Sequence, residues 1–184
     1  MSEDFYIEVK YNQKNHHEAR ICGDVFFSRH VKEDGRVIVV LSDGMGHGVK
    51  ANVLATLTAT MALNFTSEHK ENKRIAEIIM NTLPVCSIRK ISYATFTIVD
   101  IEKVGESRIL EFDNPGVLII RDGSLLDPDW EEIELTSGQH MGKRLRSCTY
   151  TPVKGDRMVF CSDGVTQSGM GSDAYPFGWG EAGL

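Results

Sequence analysis

Arg36-Val-Ile-Val-Val-Leu-Ser-Asp-Gly-Met-Gly-His-Gly48 contains the change of pattern on which the fold turns. Its opening, residues 36–41, is a continuous apolar run and reads as a strand buried on both faces. At Ser42-Asp43-Gly44 the backbone emerges from that strand, and the glycine-rich segment that follows leads into a different periodicity. Ala51, Leu54, Ala55, Thr58, Ala62 and Phe65 then fall on one helical face, with Met61 beside them. A second helix is expected over residues 72–83, with Ile75, Ile78, Ile79 and Leu83 on its buried side and Pro84 closing it.

Outward from this centre the pattern is that of strands and turns. Residues 6–11 alternate weakly, as an edge strand would, and residues 21–28 form another strand. A Glu33-Asp-Gly35 turn joins the latter to the central run as a hairpin. Further strands are expected at 93–101, 107–112, 117–121, 132–135 and 157–161, with turns at Asn114-Pro-Gly116 and Arg121-Asp-Gly-Ser124. Many strands with short turns and one consecutive pair of helices do not make the alternation of a parallel sheet. The expected class is α+β, with antiparallel sheets layered against helices.

The chain has 184 residues, 41% hydrophobic and 25% charged, enough for one domain with a substantial core. A formal net charge of −6 argues against a sequence-blind nucleic-acid binder, which needs a basic face. Cys22, Cys86, Cys148 and Cys161 stand singly, without the Cys-x-x-Cys pairs of a zinc knuckle or redox dithiol, and read as buried thiols. No apolar run approaches the ~20 residues that span a bilayer, and Met1-Ser2-Glu3-Asp4 lacks a signal-peptide pattern. A cytoplasmic protein without a membrane segment is expected.

Three aspartates stand beside hydrophobic strands, in Ile21-Cys-Gly-Asp24, Val39-Val-Leu-Ser-Asp43-Gly44 and Met158-Val-Phe-Cys-Ser-Asp163-Gly164. A single Asp-Gly is ordinarily a turn, and Asp34-Gly35 and Asp122-Gly123 are read as turns. The repeated triplet of Ser, Asp and Gly at 42–44 and 162–164 points further. Carboxylates gathered at strand ends repel one another, and a divalent cation removes that cost. Oxygen donors without His or Cys suit magnesium or manganese over zinc. The loop Asp43-Gly-Met-Gly-His-Gly48, feeding a helix, also suits phosphate, whether of a nucleotide or a phosphoserine.

Gly23-Asp24, Leu41-Ser-Asp-Gly-Met-Gly-His-Gly48, Tyr93-Ala-Thr-Phe-Thr97, Asn114-Pro-Gly116 and Phe160-Cys-Ser-Asp-Gly164 occur in this order. The set resembles the SpoIIE-type branch of the metal-dependent type 2C serine/threonine protein phosphatases, from about residue 7 onward. The resemblance implies a sandwich of two antiparallel sheets flanked by helices, with a pair of manganese or magnesium ions at one end. By this likeness Asp24, Asp43 and Asp163 are metal ligands, Asp43 bridging both ions and Gly44 offering its carbonyl. Substrates implied are phosphoserine or phosphothreonine on regulatory proteins of the anti-anti-sigma kind.

The implied reaction is direct attack on phosphorus by a hydroxide held between the two metals, which leaves no role for a Ser or Cys nucleophile. Ser42, Ser162, Cys22 and Cys161 are accordingly read as structural. Many type 2C phosphatases place a histidine directly after the metal-binding Asp-Gly, where this chain has Met45. His47 is a candidate general acid and equally a helix-entry residue; Arg20 is a candidate phosphate contact and equally a solvated strand-end residue. The family carries a further acidic motif in a final strand, and none precedes Leu184, so residues 1–184 are expected to be one phosphatase-like domain lacking its C-terminal segment. Asp173 and Glu181 are not assigned that role. That incomplete acidic set keeps open a non-catalytic, phosphatase-like binding module in a partner-switching system, and more remotely a nucleotide lid at 43–48.

Overall fold

The computed structural model of the chain describes residues 6–15, 20–83, 94–102, 106–136 and 138–184. The apolar run becomes β2 (Arg36–Gly44), paired antiparallel to β1 (Asp24–Val31) across the turn at 32–35 and on its other side to β3 (Ala94–Ile101). Beyond β3 come β4 (Ser107–Phe112), then β8 (Arg144–Tyr150) and β7 (Trp130–Glu134), completing a six-stranded sheet in the order β1-β2-β3-β4-β8-β7. A smaller, three-stranded sheet is made by β5 (Leu118–Arg121), β6 (Ser124–Leu126) and β9 (Arg157–Val159) in the order β6-β5-β9. Every pairing is antiparallel. The expected α+β sandwich of two antiparallel sheets is what forms.

Alternation along β2 sorts the core into two layers. Ile38 and Val40 face the helices α1 (Gly48–Ser67) and α2 (Asn72–Thr82), where they meet Ala55, Ala59, Ala62, Ile75, Ile79 and Met80. Val37 and Val39 face the small sheet, joining Val99, Ile109, Val117 and Ile119. Ala51, Ala55, Ala59 and Ala62 are fully buried, and their small side chains let α1 lie close on the sheet. The short helix α3 (Asp163–Thr166) and a 3-10 turn at Glu181–Gly183 follow β9.

The far end of β2 is held by a buried ion cluster. Arg36 and Asp100 are each 1% exposed. Arg36 donates from Nε to Asp100 Oδ1 at 3.0 Å and from one terminal nitrogen to Oδ2 at 2.7 Å, while Arg108 donates to Oδ2 at 2.7 Å. Arg36 also caps the end of α1 through the Thr66 carbonyl at 2.9 Å. His69, close to Arg36, reaches Asp34 Oδ2 at 2.8 Å.

Several boundaries differ from expectation for physical reasons. Residues 6–11 pair with no strand; Ile7 and Val9 satisfy their alternation by packing on the inter-sheet core, and Tyr11 stacks on Phe26 at 4.6 Å. The strand expected at 21–28 is β1 at 24–31, so that Asp24 opens it, paired with Asp43 near the end of β2. β9 is shorter than expected and half-exposed. β8 was not anticipated: its buried positions include Ser147 and Cys148 with Leu145 and Tyr150, and Arg144 and Arg146 are exposed. Cys148 is buried and its thiol pushed up to about 12 by desolvation, an unreactive packing residue. Pro84, Cys86 and Tyr93 lie outside the described residues. Among the described residues no helix is long and apolar enough to cross a membrane.

Candidate metal centre

Strand register makes the first contact of the site. Asp24 stands directly opposite Asp43, and both share the strand face of Phe26, Val39 and Leu41, which turns toward the small sheet. The third aspartate arrives from β9: Ser162, 6% exposed, is the N-cap of α3 and Asp163 its first residue. Ser162 Oγ donates to Asp24 Oδ2 at 2.7 Å. Gln167, one turn along, donates to Asp163 Oδ2 at 2.7 Å.

Three chain segments thus bring Asp24, Asp43 and Asp163 to one end of the sandwich, with Asp43 in the middle. Burial pushes the Asp43 carboxyl from an ordinary 3.8 up to about 8, and Asp24 and then Asp163, each sharing a hydrogen bond with it, add to the rise. A hydrogen bond between two carboxyl groups requires a proton. A raised pKa favours the protonated form of Asp43 in the metal-free chain, which lessens the repulsion that a divalent cation would otherwise offset. Among the described residues no three His, Cys, Asp or Glu side chains stand as a finished cation cage. The donor set is hard oxygen throughout, which fits magnesium or manganese.

Gly44 fixes how closely the helix approaches. It is buried, its N–H donates to the Gly23 carbonyl at 3.3 Å, and a Cβ built there would lie 2.0 Å from the Ala51 carbonyl oxygen. We expect Gly44→Ala to destabilise the chain by about 1–3 kcal/mol through overpacking, read as a lower midpoint in urea at unchanged slope. The loop then turns through Gly46 at φ 94° and Gly48 at φ 73° to start α1. His47 lies between them as the extended N-cap, exposed, with no side-chain capping bond. The positive end of the α1 dipole therefore faces the same end of the sandwich as the aspartates.

Behind Asp43, β3 is clamped to the Asn114-Pro-Gly116 turn. Asn114 accepts from Thr95 Oγ1 and donates to Thr97 Oγ1 at 3.0 Å, and Thr95 is the register partner of Asp43. Ser42 Oγ donates to the Thr95 carbonyl at 2.8 Å. Of the other candidates, Arg20 is exposed and its carbonyl accepts from Asn15. Asp173 is exposed, and Glu181 acts on Glu111 and Cys161 instead of Asp43. Sequence reading missed the Ser162 to Asp24 bond and the Asn114 clamp; the Ser that precedes Asp-Gly at both 42–44 and 162–164 was the available signal for the first.

A helix pair on a two-sheet antiparallel sandwich, with aspartates gathered at one end, is the architecture of the type 2C protein phosphatases. Residues 33–178 match the profile of the Stage II sporulation protein E (SpoIIE) family, and the chain belongs to that family. Solved structures repeat the fold. RsbX in complex with magnesium is similar at TM-score 0.63 and 21% identity, over 84% of this chain and 72% of that one. The phosphatase domain of Bacillus subtilis SpoIIE, solved with a fragment of its regulatory domain, is similar at TM-score 0.60 and 18% identity, over 79% of this chain and 42% of that one. A structure from work on the bacterial stressosome as a modular system controlling secondary messenger signalling is similar at TM-score 0.64 and 17% identity, over 85% and 77%. No curated protein matches the chain by sequence.

Proposed function

We propose that this chain hydrolyses phosphoserine or phosphothreonine on a regulatory protein, using manganese or magnesium held by Asp24, Asp43, Asp163 and the Gly44 carbonyl. The observation that carries the reading is Asp43, pressed between two other carboxyl groups by register and by the turn into α3. A divalent pair supplies Lewis acidity toward the phosphate and the attacking water. The chain's own part is to orient the three carboxylates and to present the α1 N-terminus to an anion. His47, exposed at that N-terminus, is our candidate to give a proton to the leaving serine or threonine oxygen.

The cluster lies open at the edge of the sandwich, with Asp163 and His47 exposed. A groove between Val117, Leu126, Trp130 and Arg146 contains none of the three aspartates. An open acidic edge suits a phosphorylated side chain carried on a protein surface. Similarity to the magnesium complex of RsbX supports the metal, and similarity to stressosome and SpoIIE structures supports a partner in signalling.

The test is phosphate release from a phosphoserine protein of the anti-anti-sigma kind, with manganese and with EDTA. Release with manganese alone is expected, and no release under either condition contradicts it. The second reading is a phosphatase-like module that binds its partner without turnover. That module would bind the phosphoprotein and leave its phosphate in place.

A further inference from the structure

The two Ser-Asp-Gly triplets are alike in sequence and unlike in what their serines do. Ser42, in mid-sheet, donates to the Thr95 carbonyl and ties β2 to β3. Ser162 stands at a helix N-cap, where a serine ordinarily accepts a hydrogen bond from a backbone N–H of the first turn. It makes no such capping bond. Its hydroxyl is instead turned to Asp24 Oδ2 at 2.7 Å, across 138 residues of chain, and the residue is 6% exposed.

We propose that Ser162 is a positioning residue of the metal centre: its hydroxyl fixes the rotation of the Asp24 carboxyl group and couples it to the segment bearing Asp163. The inference rests on the metal-dependent reading above. A carboxylate has two oxygens, and one engaged by a buried hydroxyl leaves the other as the defined donor. The same bond links β1 to the entry of α3, so that Asp24 and Asp163 cannot drift apart independently. Partners that orient a ligand in this way typically change metal affinity 10–100-fold when removed.

The experiment is calorimetric titration of the intact chain with manganese, alongside its thermal melting without metal. Ser162→Ala is expected to weaken manganese binding by about tenfold or more. Ser162→Thr, which keeps the hydroxyl, is expected to restore it. In an Asp24→Asn background, Ser162→Ala should add no further loss. A helix cap alone would lower the melting temperature and leave manganese affinity unmoved; that result, or wild-type affinity in Ser162→Ala, overturns the proposal. A wild-type chain that takes up no manganese overturns the metal reading itself, and the role of Ser162 with it.

Discussion

Asp43→Asn should abolish manganese-dependent phosphate release while making the metal-free protein more stable. Both effects have one origin. In the folded chain the Asp43 carboxyl is raised from 3.8 to about 8, chiefly by burial and then by Asp24 and Asp163. A group whose folded pKa is raised binds more protons folded than unfolded, so stability falls as pH climbs through that interval. The metal-free wild type should therefore lose stability between pH 4 and 8, by on the order of 1–3 kcal/mol once partial solvent exposure is allowed for. Asparagine keeps the shape, donates to both neighbouring carboxylates and does not ionise. The variant's denaturation midpoints should change less over this range and lie above those of the wild type at pH 8, the two converging near pH 4. A variant that loses activity and stability together would mean that Asp43 is a packing residue.

Asp100→Asn should be among the most destabilising single changes in the chain, by about 3–5 kcal/mol. Asp100 accepts three hydrogen bonds from Arg36 and Arg108, and Arg36 is itself 1% exposed. Without the carboxylate, the Arg36 guanidinium is left buried with only Asp34, at 3.6 Å, as a carboxylate partner, and removing one member of a buried pair exposes its full desolvation cost. Arg108 suffers less, being 25% exposed in its side chain and within 3.9 Å of Glu102. The double variant Arg36→Met with Asp100→Leu should be less destabilised than Asp100→Asn alone, because no buried charge remains unpaired. Urea denaturation of the single and double variants measures this directly. Since the cluster lies at the opposite end of β2 from Asp43, manganese affinity should survive Asp100→Asn wherever the chain remains folded.

The central architecture was legible because it rests on periodicity. Residues 36–44, the helix after His47 and the strands at 107–112 and 118–121 have patterns set by burial alone, and the aspartates were legible because they sit where that pattern breaks. What was not legible depends on partners distant in sequence. Arg36 reads as the polar start of an apolar run; only the meeting of β2, β3 and α1 shows it buried against Asp100. β8 carries arginines and serine among its apolar residues, and its strand character comes from the neighbours β4 and β7. The turn of Ser162 toward Asp24 is hardly legible locally, since a serine at a helix N-cap ordinarily turns to its own first turn. Asp24 itself was placed by likeness more than by pattern, and its register opposite Asp43 gives it a physical basis.

The measurement that bears most directly on the metal centre is a manganese titration of the intact chain against Asp43→Asn, with proton release followed in buffers of different ionisation enthalpy. Binding near pH 7 should release protons in the wild type, as Asp43 gives up the one it holds, and should be lost in the variant. Equal uptake by the two proteins, or none by the wild type, would contradict a metal centre built on Asp43.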